Sequence, residues 1–174
     1  MLHILAAFIF FTRLPFWRLT EVPSEYFKNI VSRWALVGWF TAGISVLVLY
    51  ASSLILPANI AILLAVITRL LITGCLHEDG LADFFDGFGG GTSKERILAI
   101  MKDSHIGSYG VIGLIFYFGL LYTLLSCLPI ALAGSAILAG DPFSKGVSAM
   151  IINRLPYARK EEEAKNKTVY NRMT

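Results

Sequence analysis

The sequence predicts an all-α protein, a multi-pass transmembrane helical bundle with a structured cytoplasmic loop. Its 174 residues are 56% apolar and 16% charged, whereas soluble domains carry about 25% charged residues. Residues 34–56 contain no charge, and as a helix they would reach about 35 Å, enough to cross a bilayer. Residues 106–140 are also uncharged, and Pro129 is the natural place to divide them. A soluble core helix could explain one such run but not both.

The hydrophobic segments predict a single membrane domain over residues 1–174 with four crossings. We expect these crossings at residues 34–56, 58–76, 109–128 and 130–152. The last is expected to break at the polar run 141–145, which contains Pro142. Residues 2–11 are apolar but lack the flanks of a signal peptide, so they predict a retained interfacial or re-entrant helix.

The placement of lysine and arginine predicts the orientation. These residues gather before the first crossing, between the second and third crossings, and in the tail. The connections near 57–59 and near 129 carry no charge. Because lysine and arginine accumulate on the cytoplasmic side, the catalytic loop 77–108 is expected to face the cytoplasm. A basic face interleaved with aromatic residues is lacking, which argues against nucleic-acid binding.

The 77–108 loop carries signals of local structure. Residues 86–91 have the composition of a glycine-rich turn. Thr92 and Glu95 fit a capping box, with Thr92 as the N-cap. A short helix is then expected from Arg96 to Lys102.

The acidic motif at the start of this loop is the strongest pointer to chemistry. Asp79, Asp83 and Asp86 are spaced i, i+4 and i+7, so on a helix they would share an arc of roughly 60°. Carboxylates crowded on one face repel one another, and a hard divalent cation such as Mg²⁺ would relieve that repulsion. The alternative is an acidic, solvated helix end.

Several neighbours are candidates for phosphate chemistry on a substrate that the sequence does not choose. Mg²⁺ held by the three aspartates would neutralise a pyrophosphate, and Asp103 would be a further ligand or a base. The glycines of residues 87–91 either admit a phosphate, with Gly89 and Gly90 as contacts, or form a flexible turn. Lys102 is a candidate phosphate ligand. Arg69, inside a hydrophobic segment, either pairs with Asp141, binds substrate or reaches the membrane surface.

Five blocks of sequence resemble the adenosylcobinamide-GDP ribazoletransferase, or cobalamin synthase, family. The central block runs Thr-Gly-Cys-Leu-His-Glu-Asp-Gly-Leu-Ala-Asp, followed by Asp-Gly. The blocks lie in family order at residues 11–15, 73–87, 100–110, 142–145 and 155–159, the last two being weaker matches. This resemblance covers residues 1 to about 160.

The resemblance implies a Mg²⁺-using, multi-pass enzyme of the bacterial cytoplasmic membrane. Such an enzyme joins α-ribazole, or its 5′-phosphate, to adenosylcobinamide-GDP, and it releases GMP with adenosylcobalamin or its 5′-phosphate. The expected partners are these substrates, the lipid bilayer and, as an open option, a second copy of the chain. Asp79, Asp83, Asp86 and Asp103 would be catalytic, and Arg13, Lys102 and Lys145 would contact substrate.

The chain departs from the family pattern in three ways. The family usually has arginine at the positions of His105 and Lys145. Histidine is a conditional cation, and lysine lacks the bidentate fork of arginine. Family members also continue into further hydrophobic segments, so we expect a longer parent sequence.

Two other functions compete with this interpretation. A CDP-alcohol phosphotransferase of phospholipid synthesis also uses membrane-surface aspartates and Mg²⁺, but its aspartate motif contains an Ala-Arg pair and wider spacings, which the motif at residues 79–86 lacks. A divalent-cation transporter would spread acidic residues over several crossings, whereas this chain gathers them beside one loop.

Overall fold

The computed structural model describes residues 1–158, and those residues form an all-helical protein without strands. The predicted fold class is therefore confirmed, while the predicted tail charges from Arg159 onward lie outside the described residues. Two 3₁₀ helices, Phe16–Arg18 and Ser24–Arg33, precede the second α-helix. The α-helices are α1 Leu2–Phe11, α2 Trp34–Ser53, α3 Ala58–Thr73, α4 Leu76–Gly90, α5 Lys94–Lys102, α6 Ser108–Ser126 and α7 Ile130–Arg154.

Two helical segments are long and apolar enough to cross a membrane. They are Ser24–Ser53, which contains α2, and Ser108–Ser126, which is α6. A third candidate arises if α3 and α4 count as one broken span. The predicted crossings at 34–56 and 109–128 therefore coincide with spanning candidates. The total of four crossings, including those at 58–76 and 130–152, stays a prediction.

The chain divides into two compact units. The first contains residues 1–74 and the described chain from Leu128 onward, and the second contains Cys75–Cys127. In the first unit, α2 packs against both α3 and α7. Close packing of α2 on α7 requires Gly38, where a Cβ atom would lie 2.7 Å from the Cα of Pro142.

Helix α7 runs without interruption through the polar segment that was expected to break it. Pro142 lies inside the helix and is buried. A proline in a helix removes one backbone hydrogen bond, but a neighbouring helix can compensate by packing against it. Here Gly38 lets α2 approach Pro142 closely, so the predicted break is wrong.

In the second unit, α4 packs against both α5 and α6. The predicted glycine-rich turn at 86–91 is wrong, because α4 continues to Gly90. Glycine disfavours a helix by about 1 kcal/mol relative to alanine, so packing must offset this preference. A Cβ atom at Gly87 would lie 2.7 Å from Met101 Cγ, and one at Gly91 would lie 2.5 Å from Ile97 Cγ1. These glycines let α5 lie closely on the end of α4.

The N-cap of α5 lies one residue later than predicted, at Ser93 rather than at Thr92. Ser93 is the N-cap, and its hydroxyl accepts a hydrogen bond of 3.2 Å from the backbone N–H of Arg96. The predicted capping box with Thr92 as the cap is therefore wrong. A serine N-cap accepts a hydrogen bond from a first-turn N–H group just as a threonine N-cap does, so the sequence signal alone left two adjacent candidates.

Candidate functional site

The three aspartates of α4 lie in three different environments. All three belong to the helix that their spacing predicted. Asp79 is exposed and Asp83 is half-buried. Asp86 is buried, with 8% of its surface exposed. Asp86 lies among the buried residues of α4, which are Glu78, Ala82, Asp86 and Gly87. The three carboxylates therefore share a helix but differ in how deeply they are buried.

Asp86 forms hydrogen bonds with the start of α6. Its Oδ2 accepts a hydrogen bond of 2.7 Å from the backbone N–H of Gly107. Its Oδ1 accepts one of 2.8 Å from the backbone N–H of Gly110. The first N–H groups of a helix lack intrahelical partners, and Gly107, the N-cap of α6, offers no side chain to satisfy them. Asp86 therefore caps α6 from a different helix.

Asp103 lies in the exposed connection between α5 and α6, directly after Lys102, the last residue of α5. Its Oδ1 accepts a hydrogen bond of 3.0 Å from the backbone N–H of His105 and lies 2.6 Å from His105 Nδ1. The backbone N–H and then the ring of His105 hold the pKa of Asp103 below its ordinary value of 3.8. Asp103 is therefore a carboxylate at neutral pH and a weak proton acceptor.

The glycines at the end of α4 have packing neighbours. Gly89 lies beneath the ring of Tyr109, since a Cβ atom there would lie 2.5 Å from Tyr109 Cγ. Gly90 has more room, with Ile100 Cδ1 at 3.5 Å from the same hypothetical atom. The flexible-turn alternative is wrong because both residues are helical. Substrate contact at Gly89 and Gly90 stays a prediction.

Arg13 is an exposed residue in the first unit. Its backbone N–H donates a hydrogen bond of 2.7 Å to the carbonyl of Ile72, near the end of α3. Its side chain covers Gly74, where a Cβ atom would lie 2.5 Å from Arg13 Cγ. Gly74 has a positive φ of 63° and ends α3, which is a common role for glycine. A cation here also suits the negative end of a helix dipole.

Lys145 is buried in an ion-pair network of the first unit. Its ammonium group donates to Asp141 Oδ1, and the hydroxyl of Thr41 donates to Asp141 Oδ2. Arg69 Nη1 lies 3.9 Å from the same Oδ1, which confirms the expected option that Arg69 pairs with Asp141. The side chains of Lys145 and Asp141 are 4% and 8% exposed. This network links α2, α3 and α7, and substrate contact by Lys145 stays a prediction.

The carboxylates of α4 include two that could bind Mg²⁺ together with a substrate. Residues 1–158 contain no group of three or more histidine, cysteine, aspartate or glutamate side chains arranged to hold a metal ion. Mg²⁺ is commonly bound by one or two carboxylates together with substrate phosphates and waters. Asp79 and Asp83, one helical turn apart on α4, provide two such hard oxygen donors. This donor set fits an ion that arrives with a phosphate substrate.

Sequence reasoning did not single out Thr41, Glu78 or the glycines at the start of α6. A charge within an apolar segment is visible in sequence, which is why Arg69, Asp141 and Lys145 drew attention. Thr41 is one hydroxyl among several in α2, and nothing in its spacing pairs it with Asp141. Glu78 is 4% exposed and would have been found only from the buried face of α4.

Known proteins provide independent information about this chain. The protein-family model described as CobS, cobalamin-5-phosphate synthase, matches residues 3–174. No solved structure matches the chain.

Three curated relatives illustrate the similarity, and each is named adenosylcobinamide-GDP ribazoletransferase. The protein of Shewanella baltica (strain OS185) is 42% identical over 166 residues, which are 94% of this chain and 63% of the relative. The protein of Shewanella sp. (strain W3-18-1) has the same identity and coverage. The protein of Shewanella sp. (strain ANA-3) is 39% identical over the same shares. The chain therefore spans 63% of the length of these relatives.

Proposed function

Because the chain belongs to the CobS cobalamin-5-phosphate synthase family, we propose that the protein joins α-ribazole, or its 5′-phosphate, to adenosylcobinamide-GDP. The products are adenosylcobalamin, or its 5′-phosphate, and GMP. The observation that carries this proposal is the family match over residues 3–174. The named relatives add support, since their identity extends over 94% of this chain.

The proposed reaction is a phosphoryl-group substitution. Because the 5′-phosphate of α-ribazole 5′-phosphate is kept in the product, a ribose hydroxyl other than the 5′-hydroxyl provides the oxygen that bonds to the phosphorus attached to cobinamide. The bond from that phosphorus to the bridging oxygen breaks, GMP leaves with the electron pair, and the hydroxyl proton is lost. Negative charge therefore grows on the leaving phosphate, and nearby positive charge would stabilise the transition state.

We assign the binding of Mg²⁺ to Asp79 and Asp83 of α4. When bound, Mg²⁺ would neutralise the pyrophosphate and stabilise the leaving GMP. The two carboxylates would orient the ion and its phosphate oxygens on one helix turn. The remaining predicted substrate contacts are Arg13, Lys102, Lys145, Gly89 and Gly90.

Asp103 is proposed to contribute as a charged oxygen ligand more than as a base. Efficient general bases have a pKa near the working pH, and the pKa of Asp103 is lowered by His105. A permanently ionised carboxylate suits attraction of Mg²⁺ or of a cationic side chain. Of the two roles left open by the sequence, this supports the first.

The decisive experiment is incubation of the membrane-embedded protein with adenosylcobinamide-GDP, α-ribazole and Mg²⁺, followed by detection of GMP. Release of GMP that depends on both substrates would support the proposal. If GMP is not formed and CMP is instead released from a CDP-activated lipid donor, the protein is the competing phosphotransferase. Movement of Mg²⁺ across sealed vesicles without either product would indicate the transporter.

The active site is further proposed to face the cytoplasm. The lysines and arginines of residues 77–108 support this orientation. A cysteine introduced by Ser93→Cys should react with an impermeant thiol reagent only from the cytoplasmic side. Cys75 and Cys127 would first be replaced by serine to remove background. Labelling from the outside of intact cells would overturn the orientation.

A further inference from the structure

The carboxylate of Asp86 is fully engaged by the backbone of α6. One oxygen accepts from Gly107 at 2.7 Å and the other accepts from Gly110 at 2.8 Å. These are the N-cap residue and the third residue of the helix. Distances this short are typical of hydrogen bonds to an ionised acceptor. Asp86 is also 8% exposed, so these two bonds form in a largely buried location.

The start of α6 is shaped to admit this carboxylate. A Cβ atom at Gly107 would lie 2.5 Å from Asp86 Oδ1. A Cβ atom at Gly110 would lie 3.1 Å from the carbonyl oxygen of Ala82 and closer still to Asp86 Oδ2. The N-cap position and the third position of α6 therefore both need glycine for the carboxylate to reach the backbone. The two glycines thus leave room for the Asp86 carboxylate to bond to the backbone. We call the backbone N–H groups of Gly107 and Gly110 the seat of Asp86.

The N-terminus of α6 lies at the carboxylate of Asp86 and affects its charge. The N-terminus of a helix carries partial positive charge, and a carboxylate there is stabilised. Asp86 therefore has a neutralising partner within the protein. A bound cation is therefore not required to offset the charge of Asp86.

Asp86 also bonds to the end of the segment that carries Asp103. The segment that contains Asp103 and His105 ends at Gly107, whose N–H is bonded to Asp86. All of these residues belong to the second compact unit. We infer that Asp86 is a positioning residue, which fastens the start of α6 to α4 and thereby holds Asp103 near the acidic helix, and that it is not a third metal ligand. This inference rests on the proposed function.

The test uses glycine amides as local reporters in the whole protein. The protein would be labelled with ¹⁵N-glycine in detergent micelles and titrated with Mg²⁺ in the presence of adenosylcobinamide-GDP. Gly80 lies between Asp79 and Asp83 in α4 and reports on their carboxylates. Gly107 and Gly110 report on Asp86. We expect the Gly80 signal to shift with Mg²⁺ while the Gly107 and Gly110 signals stay in place.

The outcomes separate the positioning role from the metal site. If Gly80, Gly107 and Gly110 shift together with one Mg²⁺ affinity, Asp86 is a ligand and the inference is overturned. If Gly80 does not shift, the metal assignment of the proposed function fails. In that case the Asp86→Asn variant still tests the bonds from Gly107 and Gly110 to Asp86. The amide signals of both glycines should shift in that variant. Unchanged signals in that variant would overturn the inference.

Kinetics provide a second readout. Displacement of reacting groups by about 1 Å can cost roughly 100-fold in rate, so Asp86→Asn should lower turnover by up to that factor. Its half-saturating Mg²⁺ concentration should not change. Asp83→Asn should instead raise the Mg²⁺ requirement by about tenfold or more. The exposed Glu95→Gln on α5 is the matched control and should alter neither quantity. A raised Mg²⁺ requirement in Asp86→Asn would contradict the positioning role.

Discussion

Two buried carboxylates, one in each compact unit, are neutralised in different ways. The side chain of Asp141 is 8% exposed, and Asp86 is 8% exposed as a whole residue. Asp141 is bound by side chains from three helices, namely Lys145, Arg69 and Thr41. Within residues 1–158, Asp86 is bound through the backbone N–H groups of Gly107 and Gly110. The comparison shows that a buried acid does not by itself indicate a metal or a substrate.

The two solutions make different demands on the sequence. A side-chain network needs cationic residues on neighbouring helices at the same depth in the bundle. Such residues are easily recognised in an otherwise apolar segment. A backbone seat needs glycines that let the carboxylate approach, and they resemble any other small residues. The charged residues of the first unit's network can therefore be recognised from the sequence. The glycines that admit Asp86 in the second unit cannot.

The largest effect is expected from breaking the network of the first unit. Asp141→Asn leaves the buried Lys145 and the half-buried Arg69 without this carboxylate, and loss of one partner of a buried pair costs about 3–5 kcal/mol. Thermal unfolding in detergent should show this loss of stability. The exposed Glu25→Gln should stay within about 0.5 kcal/mol of the unaltered protein. A loss of less than about 1 kcal/mol for Asp141→Asn would mean that the pair behaves like a surface ion pair.

The second effect concerns the exposed part of the acidic helix. Asp83→Ala should reduce GMP release by at least about 100-fold, because it removes charge from the transition-state surroundings. Membrane insertion should be unchanged, since Asp83 is only half-buried. GMP release is measured in purified protein with Glu95→Gln as the control. Normal turnover by Asp83→Ala would remove Asp83 from the proposed metal site.

The third effect tests the glycine seat of Asp86. Gly110→Ala should destabilise the protein by about 1–3 kcal/mol, the usual cost of overpacking. Gly119→Ala is the matched control in the same helix, because a Cβ atom there has no neighbour within 4 Å. Alanine should favour the helix at that position by about 0.5–1 kcal/mol. Equal unfolding temperatures for the two variants would argue against a tight seat.

The smallest effect is expected at Asp103. His105→Ala removes the ring but keeps the backbone N–H, so the pKa of Asp103 should rise part of the way toward 3.8. A depressed pKa stabilises the folded turn above the unfolded value, and this contribution disappears as pH falls through the folded pKa. Stability at neutral pH should therefore be insensitive to this variant. Titration of ¹³C-labelled aspartate carboxyl groups measures the shift, and an unchanged Asp103 would contradict the role of the ring.

Much of the fold was accessible from sequence because apolar runs and helix signals are local. The uncharged run at 34–56 predicted α2, and the run after Ile106 with its division at Pro129 predicted α6 and the start of α7. The spacing of Asp79, Asp83 and Asp86 predicted the helical state of α4. The wrong predictions relied on local sequence preferences that tertiary packing overrides. Pro142 remains helical against Gly38, and the glycines of residues 87–90 remain helical against α5 and α6.

The amino-acid sequence by itself determined the all-helical class, the family and the identity of the candidate acids, because composition and motif order are properties of the chain alone. Only the tertiary structure decided the surroundings of each acid. It separated exposed Asp79 and half-buried Asp83 from buried Asp86, although all three share a helix. The physical reason is that charge neutralisation depends on which groups lie within hydrogen-bonding distance. For Asp86 those groups are amides 21 and 24 residues away along the chain.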